Sequence, residues 1–147
     1  MGIPEADFFI LAFYNLSMTE KFPSAEKLKS KILIDRLFAE GRSLFKYPIK
    51  LIYIPVADKE LANHKTGVSV PKRNFKKAVD RNYLKRLMRE AYRKNKYLVN
   101  DNLPAYYAFM FIYTGKERIS YSQVENSMIW MMKKLNEKEK NHEKSAT

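Results

Sequence analysis

The segment from residue 72 to residue 96 constrains the fold more than any other part of the sequence. It contains eleven basic residues and only two acidic ones, Asp80 and Glu90, and so carries most of the net charge of +12. With about 100° between successive helical residues, its apolar side chains form one stripe, made of Leu84, Leu87, Met88 and Ala91. The basic side chains fall on the opposite side. The segment therefore predicts a helix with one face in a core and the other facing anions.

A basic helix face can also be a solvated surface with no partner. A solvated helix usually mixes charges of both signs, whereas here like charges repeat four residues apart, as in Arg81/Lys85 and Lys85/Arg89. We therefore favour anion binding. A net charge of +12 then indicates a polyanionic partner, which is RNA, DNA or an anionic membrane surface.

The rest of the chain predicts helices and strands around this segment. In chain order the predicted elements are a helix over residues 31–40 followed by Gly41, strand sequence over 43–56 with a break or edge at Pro48, a strand over 66–70, the basic helix over 77–97, a buried strand over 105–113 and a last helix capped by Ser120. This order predicts an α+β fold, a small single-domain two-layer sandwich with elements in the order α-β-β-β-α-β-α.

The composition sets the limits of the domain and excludes several classes of protein. Residues 1–20 are expected to be an N-terminal extension that need not be native, and Met18 within them is a second possible start of translation. Residues 21–136 form the domain, and the polar tail 137–147 is expected to fray. No apolar run approaches a membrane span, and the lack of cysteine excludes disulfides and thiolate zinc sites. A cytoplasmic location is the default expectation.

The sequence offers no constellation for catalysis by the protein itself. His64 lies in a polar segment and His142 in the tail, with no partner histidine at metal-ligand spacing. The four glycines form no phosphate-binding loop. We therefore predict no catalytic residue and no metal site in this chain.

Aromatic residues make up 14% of the chain and are candidates for stacking on unpaired bases. If residues 43–56 are read as one strand, Phe45, Ile49 and Tyr53 share one face and Lys50 lies on the other. For Tyr53, core packing and base contact are equally favoured at this point.

One stretch resembles a known family. Residues 67–93 read GVSVPKRNFKKAVDRNYLKRLMREAYR and resemble the signature of the bacterial ribonuclease P protein subunit, which has a strand, a basic connector and an Arg-Asn-Arg helix. The residues that match in register are Arg81, Asn82, Leu84, Lys85, Arg86, Leu87, Arg89 and Glu90. The resemblance extends over residues 21–136.

The resemblance implies a fold detail and a function. The fold detail is a left-handed β-α-β crossover. The implied function is that of a protein subunit whose RNA partner performs the chemistry: ribonuclease P RNA, which carries most of the Mg²⁺, cleaves precursor tRNA and leaves a 5′-phosphate on the mature tRNA. The protein supports that RNA and binds the 5′ leader of precursor tRNA. It binds no cofactor firmly by itself, is monomeric without RNA, and has neither a membrane nor DNA as a partner.

The resemblance also implies two sets of site residues. Candidates for binding the RNA subunit are Lys72, Arg73, Lys76, Lys77, Arg81, Asn82, Lys85, Arg86, Arg89 and Arg93. Candidates for binding the leader are Phe38, Tyr53 and Ile34. Two positions depart from the family pattern. Tyr83 replaces the second arginine of the helix motif, so that an RNA contact is lost or replaced by stacking, and Ile34 replaces an aromatic residue.

Three competing interpretations remain. A non-enzymatic RNA-binding protein of ribosomal type would share the basic helix, and only the motif from Arg81 to Glu90 separates it from the favoured interpretation. A DNA-binding regulator would need a short helix-turn-helix, which is not visible. A membrane-surface helix is disfavoured because the face opposite the charge is needed for the core.

Overall fold

The computed structural model describes residues 22–56, 63–100 and 103–146, with side chains described up to residue 140. In chain order the elements are a 3-10 turn over Ser24–Glu26, helix α1 over Lys31–Glu40, strands β1 over Arg42–Lys46, β2 over Ile49–Val56 and β3 over Lys65–Ser69, helix α2 over Ala78–Asn95, a short helix α3 over Tyr97–Asn100, strand β4 over Tyr106–Tyr113 and helix α4 over Tyr121–Ala146. The α+β class and the order of the main elements are confirmed. The N-terminal extension predicted for residues 1–20 lies outside the described residues.

The four strands form one sheet in the order β1-β2-β4-β3. Strand β2 is antiparallel to both of its neighbours, whereas β3 runs parallel to β4 and reaches it through α2. A parallel β-α-β crossover is therefore present. That this crossover is left-handed remains a prediction. Strand β4 is almost continuously apolar because both of its faces are buried: Tyr107, Phe109 and Phe111 belong to one buried cluster, and Ala108 and Met110 belong to another.

The predicted break at Pro48 is a tight turn between β1 and β2. Lys46 pairs with Ile49 across a turn made of Tyr47 and Pro48, which are joined by a cis peptide bond. A hydroxyl from α4 secures this turn, since Ser127 Oγ donates to the Tyr47 carbonyl oxygen at 2.9 Å. The segment predicted as one strand with an interruption is thus a hairpin.

The two faces of the sheet carry different helices. Ile49, Leu51 and Tyr53 belong to the main core, which also contains the buried residues of α2 and α4. The alternate residue Ile52 packs with Leu37 of α1 on the other face. The sheet and the helices α2 and α4 form the two layers of the predicted sandwich. Helix α1 adds a partial third layer on the opposite side of the sheet.

Helix α1 begins and ends where the sequence predicts. The Ser30 side chain accepts a hydrogen bond from the Leu33 amide at 3.3 Å and caps the first turn. Gly41 closes the helix with an ordinary φ of −63°. A side chain at this position would meet the Leu37 carbonyl oxygen and would come within 2.5 Å of Ile52 Cγ2. The glycine is therefore needed for close packing of α1 on the sheet.

Residues 137–140, which the sequence assigns to a polar tail, belong to the last helix. Helix α4 continues to Ala146, well beyond residue 136. The Glu139 side chain is only 3% exposed and accepts hydrogen bonds from Arg42 Nη1 at 2.5 Å and from the Tyr107 hydroxyl at 2.6 Å. The polar residues of this helix end thus hold it to the sheet. Among the described residues, no helix is long and apolar enough to cross a membrane.

Candidate nucleic-acid interface

Helix α2 has the two faces that its sequence predicts. Leu84, Met88 and Ala91 are fully buried in the main core. Arg86 and Arg89 point away from that core and are exposed, as is Asn82. Lys85 and Arg93 are half-buried, and Arg93 is bonded to Glu90. The helix thus presents a cationic surface at no cost to the packing of its apolar stripe.

One candidate, Arg81, is engaged within the protein. Its Nη1 donates to the carbonyl oxygens of Phe75 at 2.8 Å and Lys76 at 2.9 Å. Phe75 is buried and its ring lies 5.7 Å from that of Tyr113. Arg81 therefore fixes the connector that joins β3 to α2. The basic residues of this connector are all exposed: Lys72, Arg73, Lys76 and Lys77.

The exposed side of α2 borders a groove. Its lining consists of Phe22, Asn82, Arg86, Arg89, Glu90 and Arg93. The one carboxylate in this lining, Glu90, accepts two hydrogen bonds from Arg93, at 2.6 and 3.0 Å. These bonds lower the pKa of Glu90, so the carboxylate stays charged and neutralises part of the local positive charge. Arg86 and Arg89 are left as the cations that determine the charge of the groove.

The prediction that Tyr53 contacts the leader is wrong in this structure. Its side chain is 2% exposed and faces the main core, on the opposite side of the sheet from α1. The ring lies 6.2 Å from that of Tyr107 and 5.9 Å from the Arg42 guanidinium. Burial raises the pKa of the Tyr53 hydroxyl to about 12. Tyr53 is thus a core residue that no nucleotide can reach without local unfolding.

The error comes from the turn at Pro48. In a single continuous strand, Phe45 and Tyr53 would share a face, but the two-residue turn pairs Phe45 with Lys50 and Arg42 with Tyr53. Directly paired residues point to the same side of a sheet. Phe45 and Lys50 therefore lie on the α1 face, and Tyr53 lies on the other.

The other leader candidates are on the α1 side. The Phe38 side chain is 55% exposed on α1, and Ile34, one turn earlier, is half-buried. The α1 face of the sheet also contains a row of paired residues that runs from edge to edge, one from each strand: Phe45, Lys50, Ile112 and Ser69. We call this row the open strip. Phe45 is 57% exposed and Lys50 is exposed, so the strip offers an aromatic ring beside a cation.

The histidine that the sequence singles out is structural. His64 is buried, its Nδ1 accepts from the Tyr107 amide at 2.9 Å, and its Nε2 lies 3.3 Å from the Val99 carbonyl oxygen. Burial lowers its pKa, which favours the neutral ring. His142 lies beyond the described side chains. Within the described part of the chain, no three acidic or histidine residues come close enough to hold a metal ion.

The fold and this surface define a class of protein: a basic α+β domain with a cationic helix packed on one side of its sheet and a partly open sheet face on the other side. The family model described as Ribonuclease P matches residues 22–136. The chain therefore belongs to the ribonuclease P protein family.

Curated relatives support this assignment. The chain is 36% identical over 107 residues to the ribonuclease P protein component of Porphyromonas gingivalis strain W83, covering 71% of this chain and 78% of the relative. It is 30% identical over 121 residues to that of Petrotoga mobilis, covering 79% and 96%.

Solved structures show the same fold. The ribonuclease P protein of Thermotoga maritima matches with a TM-score of 0.61 and 24% identity, covering 74% of this chain and 96% of that one. The protein of Staphylococcus aureus matches with a TM-score of 0.57 and 22% identity, covering 70% and 88%.

Family membership confirms the main functional prediction. The chain is a protein component of ribonuclease P and acts in tRNA processing as part of an endoribonuclease. Membership also implies a partnership with ribonuclease P RNA. The comparisons support this function and not that of a ribosomal-type RNA-binding protein.

Proposed function

We propose that the exposed face of α2 and its connector bind the RNA subunit, and that the α1 face binds the 5′ leader of precursor tRNA. The holoenzyme then removes the leader and leaves a 5′-phosphate on the mature tRNA. The observation that carries this proposal is the exposure of Arg86 and Arg89 directly opposite the buried Leu84 and Met88. Arginine suits this role because its planar guanidinium forms paired hydrogen bonds with phosphate oxygens.

The metal ion is proposed to reside mainly on the RNA. The outward side chains of α2 are chiefly cationic hydrogen-bond donors, whereas Mg²⁺ requires oxygen ligands such as carboxylates and phosphates. Mg²⁺ held by phosphates would supply the electrostatic stabilisation of the cleavage step. In this arrangement the residues of the chain bind and orient RNA, and offset repulsion between phosphates. We further propose that the chain acts in the cytoplasm and is monomeric until it meets RNA.

For the leader, we propose that unpaired bases stack on Phe38 and Phe45. Lys50 lies beside Phe45 in the open strip and would bind a backbone phosphate of the same nucleotides. Ile34 extends the apolar surface of α1 by one turn behind Phe38. This set retains the predicted Phe38 and Ile34 and replaces Tyr53 with Phe45.

The RNA-subunit half of the proposal is tested by measuring affinity against salt concentration. Arg86→Ala and Arg89→Ala should each lower the slope of log K against log salt by roughly 0.7 to 0.9, because each removes one phosphate contact. Arg36→Ala on α1 removes the same charge from an exposed side chain off the α2 face and is the matched control. Unchanged slopes for both α2 variants, or equal losses in the control, would refute this assignment.

The leader half is tested on the reconstituted holoenzyme with two tRNAs. One base stack is worth about 1–3 kcal/mol, so Phe38→Ala and Phe45→Ala should each weaken binding of leader-bearing precursor tRNA by roughly five- to a hundredfold. Binding of mature tRNA should hardly change. Tyr97→Ala removes an exposed aromatic ring from α3 and serves as the control. Equal losses for both tRNAs would show that these rings support the fold or the subunit interface.

A further inference from the structure

At the edge of its exposed side, helix α2 carries a half-buried aromatic residue, Tyr83, whose ring is covered by a cation from another element. The guanidinium carbon of Arg118 lies 3.8 Å from the centroid of the Tyr83 ring. Arg118 belongs to the segment between β4 and α4, far from α2 in sequence. A guanidinium this close to a ring centroid is in cation-π contact.

Contacts at both ends hold the segment that carries Arg118. On the β4 side, the Tyr113 hydroxyl donates to the Glu117 carbonyl oxygen. On the α4 side, Ser120 Oγ accepts from the Gln123 amide at 3.3 Å and so caps the helix. Arg118 is therefore presented from a short, anchored connection, which lowers the entropy lost when it binds a ligand.

The position of Arg118 continues the cationic surface of α2. Tyr83 and Arg86 are three residues apart and so lie one turn apart on the same side of the helix. Tyr83 itself carries no charge, and the guanidinium on its ring supplies one at that point. The surface of Arg86 and Arg89 is thus extended across Tyr83 by a residue from outside the helix.

The acidic neighbour of Arg118 leaves much of its binding capacity available. Arg118 Nη1 lies 3.3 Å from Asp80 Oδ1, a long contact, and the Arg118 side chain is 47% exposed. Ion pairs of this kind contribute little because water competes for both partners. A guanidinium has five N–H donors, and stacking on a ring leaves its edges open to a phosphate.

We propose that Arg118, held on Tyr83, binds a backbone phosphate of RNA as part of the α2 interface. This inference rests on the proposed function, since it assumes that α2 faces RNA. The same phosphate chemistry occurs in the RNA subunit and in precursor tRNA. Because Arg118 extends the surface that contains Arg86, and Arg86 is proposed to bind the RNA subunit, we assign this phosphate to the RNA subunit.

The test compares variants in binding to ribonuclease P RNA over a range of salt concentrations. Arg118→Gln should weaken binding roughly tenfold and lower the salt slope by roughly 0.7 to 0.9, as expected for the loss of one charge-assisted contact. Lys116→Gln removes an exposed cation from the same connection and should have less than half of this effect. Tyr83→Phe keeps the ring face and should bind as the parent does, whereas Tyr83→Leu should match Arg118→Gln.

Two further measurements identify the source of the phosphate and exclude a purely structural role. Affinity of the assembled holoenzyme for precursor tRNA should be unchanged by Arg118→Gln, and a loss confined to that affinity would overturn the assignment to the RNA subunit. Thermal melting of the free variants should stay within a few degrees of the parent. Normal RNA binding by Arg118→Gln, or an effect no larger than that of Lys116→Gln, would refute the inference. The proposed function would still be tested separately by Arg86→Ala.

Discussion

The buried carboxylate at the end of α4 provides a stringent test of the fold. Glu139 accepts hydrogen bonds from the Tyr107 hydroxyl and from Arg42 and is almost completely buried. In Glu139→Ala the buried hydroxyl loses its acceptor, which costs about 1–3 kcal/mol. The Arg42 side chain is 39% exposed, so water replaces much of its contact and adds only about 0.5–1 kcal/mol. The expected loss in the free energy of unfolding is therefore roughly 1.5–4 kcal/mol.

This loss is measurable by thermal and urea unfolding. For a domain of this size it corresponds to a decrease in Tm of roughly 4–16 °C. Glu137→Ala is the matched control, because Glu137 lies on the same helix but forms only an exposed ion pair with Lys134. The control should change the stability by less than about 0.5 kcal/mol. Glu139→Gln keeps an acceptor for Tyr107 and should fall between the two. If Glu139→Ala and Glu137→Ala unfolded alike, the attachment of this helix end to the sheet would be disproved.

Three other perturbations test separate parts of the structure. Glu26→Gln removes the charge of the carboxylate that lies 2.9 Å from the buried Lys96 ammonium, so the free energy of unfolding measured in urea should fall by about 1–3 kcal/mol, and an unchanged urea midpoint would contradict this. Burial lowers the pKa of His64 from its usual 6.5. The contribution of its neutral ring to the free energy of unfolding should therefore be fully present above pH 6.5 and be lost as the pH falls below that value. His64→Gln should then flatten this part of the stability profile. Gly41→Ala should destabilise by about 1–3 kcal/mol through overpacking, and an unchanged Tm would contradict the tight approach seen there.

The local elements could be predicted from the sequence because their signals are local. Helix α1 matches its predicted bounds, since Ser30 caps its start and Gly41 follows its end. The buried stripe of α2 follows from helical periodicity alone, and Leu84 and Met88 are buried as predicted. The recognisable motif lies on that same helix, which is why the RNA-subunit candidates could be chosen without a structure.

The faces of the strands could not be predicted in the same way. Which side a strand residue faces depends on how the chain turns, and the turn at Pro48 separates Phe45 from Tyr53. The role of Glu139 depends on Arg42 and Tyr107, which lie on two different strands. The sequence of this polar helix end does not indicate a contact with residues so far away along the chain. The sequence alone therefore predicts a polar tail.

The distribution of charge on α2 links folding to RNA binding. Like charges four residues apart raise the free energy of the isolated helix by a few tenths of a kcal/mol per pair, and Lys85 forms such a pair with both Arg81 and Arg89. The structure tolerates this repulsion because Leu84, Met88 and Ala91 of the opposite stripe are fully buried. In addition, Arg81 donates to carbonyl oxygens of the connector. A phosphate backbone placed along the exposed side would convert the same repulsion into attraction. Under the proposed function, binding to RNA therefore stabilises the folded chain by mass action. The residues that provide this stabilisation are the same ones whose mutual repulsion raises the free energy of the chain without RNA.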